Sequence, residues 1–303
     1  MFELLLSIVM TVLLYLNFRY FPKMGVDTLQ AIVINYGICV ITGLLFRPDT
    51  IQDFAHNDLS GWLWAGIFQG FMFMAVFILV GWCTQSMGMA VSSLVSKISM
   101  VIPVAISLFI LQSGGGFNIL KISGICLALG ALVLISTNKE KVLQDTPGDE
   151  QKPAKSFKWK GLLLTVAVFF GSGTVDSFTN YVNNSVIVEA QTSMFTISVF
   201  LFAFLFGSIY LIWKKLTTGV SLSYTTVIGG ITLGIPNFFA YYFMLRALSV
   251  FNNDGSLIFP LANISVILIS TLLGVMVFNE RLSPANKAGV ALAMLAIGVL
   301  AFS

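Results

Sequence analysis

Long apolar runs separated by short polar breaks are the main pattern along this chain of 303 residues. The runs are continuous rather than alternating, which favours membrane-spanning helices over the strands of a β-barrel. One crossing takes about 20 mostly apolar residues. The pattern predicts ten spans, at about residues 2–18, 28–46, 61–83, 89–112, 119–136, 160–182, 191–213, 224–248, 255–278 and 285–302. We therefore expect an all-α integral membrane protein with ten transmembrane helices.

The largest polar break, residues 138–159, contains lysines, acidic residues and two prolines but no apolar period. Such a composition is typical of a solvated linker. Five predicted spans precede this break and five follow it. The sequence therefore predicts one five-helix repeat over residues 1–137, a polar linker over 138–159 and a second five-helix repeat over 160–303.

The two halves match each other at a nearly constant offset. At 164 residues, the segment Gly66–Gly70 falls on Gly230–Gly234. At 165 residues, four residues of the fifth span fall on identical ones in the tenth: Gly124, Leu127, Ala128 and Ala131 fall on Gly289, Leu292, Ala293 and Ala296. Because each half has an odd number of spans, the second half enters the membrane from the opposite side. The pattern predicts an inverted repeat, an arrangement common among secondary transporters.

Composition supports the membrane prediction and excludes several other classes. Hydrophobic residues make up 57% of the chain and charged residues 10%, against about 25% charged in ordinary soluble proteins. A net charge of +3 without a basic stripe argues against nucleic-acid binding. There is one histidine, His56, and the three cysteines lie in apolar runs, so we expect no disulfide framework, no metal and no bound cofactor.

The second half contains a segment that resembles a known family. Residues 260–283 read PLANISVILISTLLGVMVFNERLS, and a small-residue helix follows from Ala288. This pattern is similar to the EamA-like branch of the drug/metabolite transporter superfamily, whose repeats end in a proline-bearing helix, a Glu-Arg turn and a closing helix. The first half has Pro103 but no such turn, because Gly115 and Gly116 stand opposite Glu280 and Arg281.

The resemblance implies a transporter of small metabolites, often directed out of the cell. It also implies a cavity lined mainly by the third, fourth, eighth and ninth spans. We therefore expect an exporter of amino acids or related solutes that works by alternating access, as a monomer or weak homodimer in the lipid bilayer. Two alternatives stay open: a lipid-carrier flippase of the same architecture, and an intramembrane enzyme that uses Lys97 with Ser93 or Ser96.

Two charged residues lie inside predicted spans at more than five residues from either end, Lys97 in the fourth and Asp176 in the sixth. An ionisable residue at membrane depth is a functional candidate. The alternatives are a lysine that snorkels to the interface and an aspartate at a helix end. A basic residue favours carboxylate or zwitterionic solutes and an acidic residue favours cations, so the pair does not decide the substrate. We add four uncharged polar residues as candidate substrate contacts: Gln69, Asn237, Tyr241 and Asn263.

Prolines and glycines mark places where helices bend or approach closely. Pro103, Pro236 and Pro260 each lie within a span and act either as a fixed kink or as a hinge. The pairs Gly66/Gly70 and Gly230/Gly234 have a spacing that lets two backbones approach, in static packing or in a sliding contact between the halves.

Basic residues predict the orientation. The odd-numbered connections between spans hold Arg19, Lys23, six lysines from Lys139 to Lys160, Lys214, Lys215, Arg281 and Lys287. The even-numbered connections hold Arg47, Lys121 and Arg246. Since basic loops stay in the cytoplasm, we expect both termini outside the cell membrane, which is the inner membrane in a Gram-negative bacterium.

Overall fold

The computed structural model of the chain describes residues 2–56, 59–102, parts of 119–134, 155–218, 222–251, 255–279 and 282–301. Every regular element in these ranges is a helix. The α-helices are α1 (Phe2–Tyr20), α2 (Thr28–Phe46), α3 (Thr50–His56), α4 (Leu63–Met87), α5 (Met89–Ile98), α6 (Lys155–Ser185), α7 (Thr192–Thr218), α8 (Tyr224–Val250), α9 (Gly255–Phe278) and α10 (Pro284–Ala301). Short 3-10 helices occupy Phe21–Met24 and Glu189–Gln191.

Local signals fix several helix ends. Asp27 caps α2 by accepting a hydrogen bond from the Gln30 amide at 3.0 Å. Ser223 caps α8 in the same way through the Thr226 amide at 3.2 Å. Both are residue types that favour the first position before a helix. Gly25 ends the short helix after α1 with a φ of 64°, a left-handed conformation that glycine adopts without steric cost.

Among the described residues, six helical segments are long and apolar enough to cross a membrane: Phe2–Met24, Thr28–Phe46, Leu63–Met87, Gly161–Ser185, Thr192–Thr217 and Tyr224–Val250. Between 33% and 50% of each span is buried inside the protein. The outer faces carry large exposed apolar side chains such as Leu45, Leu163 and Leu216. A soluble surface rarely exposes so much apolar area. The chain is therefore an all-α, membrane-embedded protein.

Most helix bounds agree with the sequence pattern within about five residues, and three features differ from it, the first being that α5 ends at Ile98, inside the predicted span 89–112. The predicted spans 28–46 and 255–278 match α2 and α9. The predicted linker was too long, because α6 begins at Lys155 and includes its last five residues. Charged residues extend the apolar helix there, which an apolar count cannot detect. The short α3 lies in a break that showed no apolar run.

The ten-span count stays a prediction. Residues 103–118 and 135–154 fall outside the described part of the chain. The described residues between 119 and 134 are helical, in the region of the predicted fifth span.

The described helices form two compact units, and both draw on the two halves of the chain. Unit 1 contains Met1–Gly81 and Phe178–Ile258, and unit 2 contains Trp82–Ser177 and Phe259–Ser303. The packing units therefore differ from the repeats predicted over residues 1–137 and 160–303. In unit 1, α8 packs against α1 and α2, and α2 packs against α7. In unit 2, α5 packs against α10.

An aromatic cluster fills the middle of unit 1. Tyr36 of α2 stacks on Phe200 of α7, with ring centroids 6.1 Å apart. Tyr241 of α8 packs edge-on against Phe200 at 5.8 Å and Phe73 at 4.7 Å. The Tyr36 hydroxyl donates to the Phe73 carbonyl at 2.7 Å. Residues from both halves of the chain therefore build one shared core.

Candidate functional site

Two opposite charges lie near each other in unit 2. Lys97 is near the end of α5 and Asp176 is on α6, both half-buried. Their charges attract each other electrostatically. The neighbouring turns are joined directly, because the Ser96 and Ser172 hydroxyl oxygens are 3.0 Å apart. The structure thus brings together the two charged residues that the sequence placed in different predicted repeats.

The contact between Ser96 and Ser172 shows how deep these charges lie. Ser172 is the twelfth of the 25 residues in the span Gly161–Ser185, so it is at mid-span. On a hydrocarbon core of about 30 Å, mid-span is about 15 Å from either interface. Lys97 directly follows Ser96. A lysine snorkels when its side chain can reach the membrane interface, so a position about 15 Å from either interface argues against the snorkelling alternative.

Hydroxyl side chains lie on other turns of α5, on the residues that follow it and at the end of α4. Ser92 hydrogen-bonds with Thr84 at 2.9 Å, and the Ser99 hydroxyl donates to the Ser96 carbonyl. Gly173 of α6 packs directly on Ile102, which keeps the two segments close. The Ser96 hydroxyl has the Ser172 hydroxyl as a partner, and the alternative of an enzyme that uses Lys97 with Ser93 or Ser96 stays a prediction.

Gln69 lies at another polar contact, in unit 1. Its amide nitrogen donates to the Thr179 hydroxyl at 2.8 Å, which joins α4 to α6. The side chain is fully buried, and its Oε1 atom has no hydrogen-bond partner among the described residues. Such an acceptor is costly in an apolar interior, so Gln69 remains a strong candidate contact for a polar ligand or water.

Asn237 ties two helices together. Its amide nitrogen donates to Asn35 Oδ1 at 3.1 Å, which joins α8 to α2. On the same contact the Cys39 thiol donates to the Gly234 carbonyl at 3.2 Å. In this conformation the Asn237 side chain stabilises the contact between α8 and α2. Its predicted role in substrate binding stays a prediction.

Pro236 removes one backbone hydrogen bond from α8, and α1 supplies a replacement. A proline cannot donate to the carbonyl four residues earlier, here that of Thr232. The Asn17 amide nitrogen donates to that carbonyl at 3.3 Å and to the Leu13 carbonyl at 2.9 Å. Two turns further along, the Ser7 hydroxyl donates to the Ala240 carbonyl at 2.8 Å. This bonding favours a fixed kink at Pro236 over a hinge.

The remaining candidate residues lie in different parts of the chain. Tyr241 belongs to the aromatic cluster of unit 1. Asn263 of α9 is buried in unit 2, and its Nδ2 atom has no hydrogen-bond partner within the described chain. Pro260 is a helical residue of α9. Pro103, Glu280, Arg281 and the glycines Gly115 and Gly116 lie outside the described residues.

Sequence reasoning missed Asn17, Thr179 and Ser172 as partners. All three are small polar residues in apolar helices, and nothing local distinguishes them from neighbours that bond only within their own helix. Within the described residues, no group of three His, Cys, Asp or Glu side chains is placed to hold a metal ion. The expected lack of a metal and cofactor stays a prediction.

Glycine contacts in unit 1 occur in pairs related by one offset. A Cβ built on Gly66 lies 3.6 Å from Ser198, and one on Gly230 lies 2.5 Å from Ile34. The residues of the second contact are those of the first shifted by 164 positions. The same shift relates three further pairs of contacts: Gly70–Phe202 to Gly234–Ile38, Gly43–Ile197 to Gly207–Val33, and Tyr36–Phe77 to Phe200–Tyr241.

Comparisons with known proteins give information on the fold but not on the function. No family model matches the chain. An uncharacterized protein of Haemophilus influenzae is 28% identical over 302 residues, which cover 98% of this chain and 94% of the relative. A protein of known crystal structure superposes with a TM-score of 0.60 at 15% identity, over 98% of this chain and 97% of that one. At this identity the likeness shows the fold alone.

Proposed function

We propose that this protein is a secondary transporter that exports small metabolites, such as amino acids or related solutes, by alternating access. The single observation that carries the proposal is the pair of opposite charges, Lys97 and Asp176, at mid-span in unit 2. Charged side chains at this depth are costly, and in membrane proteins they mark solute or ion pathways. A purely structural helix contact would be cheaper with apolar residues.

The offset of 164 residues supports the inverted repeat that the proposal uses. Three of the four contacts and their shifted counterparts connect helices of opposite halves, and the fourth, Tyr36–Phe77 with Phe200–Tyr241, occurs once within each half. A local two-fold relation between the halves explains why both members of each pair occur. Inverted repeats of this kind allow one half to exchange its packing with the other during transport. The proposal also includes ten spans, the EamA-like family and both termini outside the cell membrane.

Purified protein in liposomes tests the proposal directly. Flux is measured for a panel of amino acids, nucleobases and cationic dyes, together with scrambling of labelled lipids. We expect flux of at least one soluble solute without lipid scrambling. Scrambling without soluble flux would replace the exporter by a lipid-carrier flippase.

Substitution of Lys97 tests the residue that carries the proposal. We expect Lys97→Ala to lower flux by at least about tenfold, which corresponds to ~1.4 kcal/mol of barrier. Lys97→Arg keeps the charge but cannot release a proton, so its activity separates electrostatic binding from proton transfer. Lys287→Ala is the matched control, because Lys287 is exposed at the start of α10. Normal flux in Lys97→Ala would remove Lys97 from the site.

A further inference from the structure

Two helix contacts of unit 1 have related positions but different side chains. The polar seam is the contact of α4 with α6 and α7, and it contains Gln69, Thr179, Thr192, Thr196 and Ser198. The apolar seam contains the residues at the same positions shifted by 164, where α8 packs on α1 and α2: Leu233, Tyr15, Thr28, Ile32 and Ile34. The two seams therefore serve as controls for each other.

Side chains at the related positions of the two seams are buried to the same extent, although their chemistry differs. Gln69 and Leu233 are both fully buried, and so are Thr196 and Ile32. At the apolar seam these two positions hold aliphatic side chains, so the helix arrangement does not require polar residues there. The polar residues at the other seam are therefore not imposed by the backbone arrangement.

The polar seam leaves hydrogen-bonding capacity unused. Gln69 Oε1, Thr192 Oγ1 and Trp62 Nε1 are buried and have no hydrogen-bond partner among the described residues. Trp62 lies at the start of α4, where its ring contacts Phe195 of α7 at 6.0 Å. Each unpaired polar atom costs free energy in an apolar interior. Acceptors and donors are both present.

The polar seam is more loosely packed at one of its two related glycines, Gly66; at the other the seams are equally tight, because a Cβ on Gly70 would lie 2.7 Å from Phe202 and one on Gly234 would lie 2.6 Å from Ile38. A Cβ on Gly66 would meet Ser198 at 3.6 Å, an ordinary contact. A Cβ on Gly230, the related position in the apolar seam, would meet Ile34 at 2.5 Å. The unpaired polar atoms and the wider spacing occur on the same side.

The segments that form the polar seam carry no charge. Residues 62–73, 178–185 and 192–200 contain no Asp, Glu, Lys, Arg or His. An anionic ligand group buried there would lack a counter-ion, and the next charge along α6 is the acidic Asp176, one turn before Thr179, so an anion would be strongly disfavoured. An uncharged group with both a donor and an acceptor fits the unpaired atoms.

From these observations we infer that the polar seam binds an uncharged hydrogen-bonding group, a carboxamide or a hydroxyl, with Gln69 and Thr179 as its main contacts. The inference rests on the inverted repeat of the proposed function, but it does not require that transport occurs. It assigns Gln69 a ligand chemistry separate from that of Lys97 and Asp176, which would bind charged groups.

Thiol labelling of two matched cysteine variants tests this inference. Both variants are made in a Cys126→Ser background, which removes the exposed thiol of Cys126. The two other cysteines, Cys39 and Cys83, are buried. Ser198→Cys then places a thiol at the polar seam, and Ile34→Cys places one at the related position of the apolar seam. We expect the uncharged reagent methyl methanethiosulfonate to label Ser198→Cys at least about tenfold faster than Ile34→Cys, a difference of ~1.4 kcal/mol.

Acetamide and acetate are matched probes for the bound group, because they have the same shape and differ in charge. At a concentration equal to its Kd, acetamide should slow the labelling of Ser198→Cys about twofold by mass action. Acetate should leave the rate unchanged. Adding Gln69→Leu should abolish the protection while the Tm changes little, because loss of the hydrogen bond to Thr179 is offset by removal of an unpaired buried acceptor.

Equal labelling rates at the two positions would overturn the inference, as would protection by acetate or a lack of protection by acetamide. A fall in Tm with Gln69→Leu would assign Gln69 to packing instead. Protection by acetamide in a protein without solute flux would keep the binding site and contradict only the transporter proposal. Solute flux without protection by acetamide would contradict the binding site and leave the transporter proposal in place.

Discussion

The polar and apolar seams of unit 1 treat their polar groups in opposite ways. Where α8 meets α1 and α2, side chains donate to the carbonyls of α8: Ser7 to Ala240, Asn17 to Thr232 and Cys39 to Gly234. Where α4 meets α6 and α7, Gln69 finds one partner in Thr179 and keeps an unpaired acceptor. Related helix positions thus give a closed contact on one side and unused binding capacity on the other.

The difference teaches that side chains, rather than backbone arrangement, decide which seam can take a ligand. Both seams use glycines at the same offset to bring helices together. At Gly234 and Gly70 both seams are closed, by Ile38 at 2.6 Å and by Phe202 at 2.7 Å from a built Cβ, and the seams differ at the other pair, where Ile34 fills the space beside Gly230 and Ser198 leaves more room beside Gly66. Three sets of substitutions test how different the two seams are.

The largest expected effect comes from adding one methyl group at the related glycines. Gly230→Ala forces Ile34 to move away from 2.5 Å, so we expect a loss of about 3 kcal/mol in the free energy of unfolding. Gly66→Ala makes only an ordinary van der Waals contact, and alanine is favoured over glycine in helices by about 1 kcal/mol, so we expect a much smaller change in the free energy of unfolding. Unfolding in mixed SDS micelles measures both variants. Equal losses would mean that the seams are equally tight.

A smaller effect is expected from the amide pair of the closed side. Asn237→Leu leaves the Asn35 Oδ1 atom without its amide donor, which should cost about 2 kcal/mol. The double variant Asn35→Leu/Asn237→Leu removes both partners and should recover most of that loss. The same unfolding titration provides the measurement. If the double variant is no more stable than Asn237→Leu, the pair is not a mutual tie between α2 and α8.

The smallest effect concerns the hydrogen bond that replaces the one lost at Pro236. Asn17→Leu should cost about 1 kcal/mol, within the range for interhelical hydrogen bonds in membrane proteins. In a Pro236→Ala background the Thr232 carbonyl regains a donor within α8, so Asn17→Leu should then cost almost nothing. A double-mutant cycle on unfolding free energies measures this coupling. Independent, additive losses would show that Asn17 does not compensate for the proline.

The bounds of most helices could be predicted because they depend on local apolar length. The spans 28–46 and 255–278 agree with α2 and α9. The start of α6 at Lys155 could not be predicted, because charged residues there continue a helix that apolar counting ends. Gln69, Lys97 and Asp176 were identifiable as polar residues within apolar runs. Their partners were not, since every apolar helix contains several small polar residues.

The sequence by itself determined that this is an all-α membrane protein, and its glycines already showed the offset of 164 residues. Hydrophobic burial in lipid depends on run length alone, so no tertiary information was needed. Only the tertiary structure decided that Lys97 lies near Asp176 and that Asn35 meets Asn237, more than 200 positions away. Such meetings depend on how each helix is rotated against its neighbours, and that rotation is set by packing between distant segments.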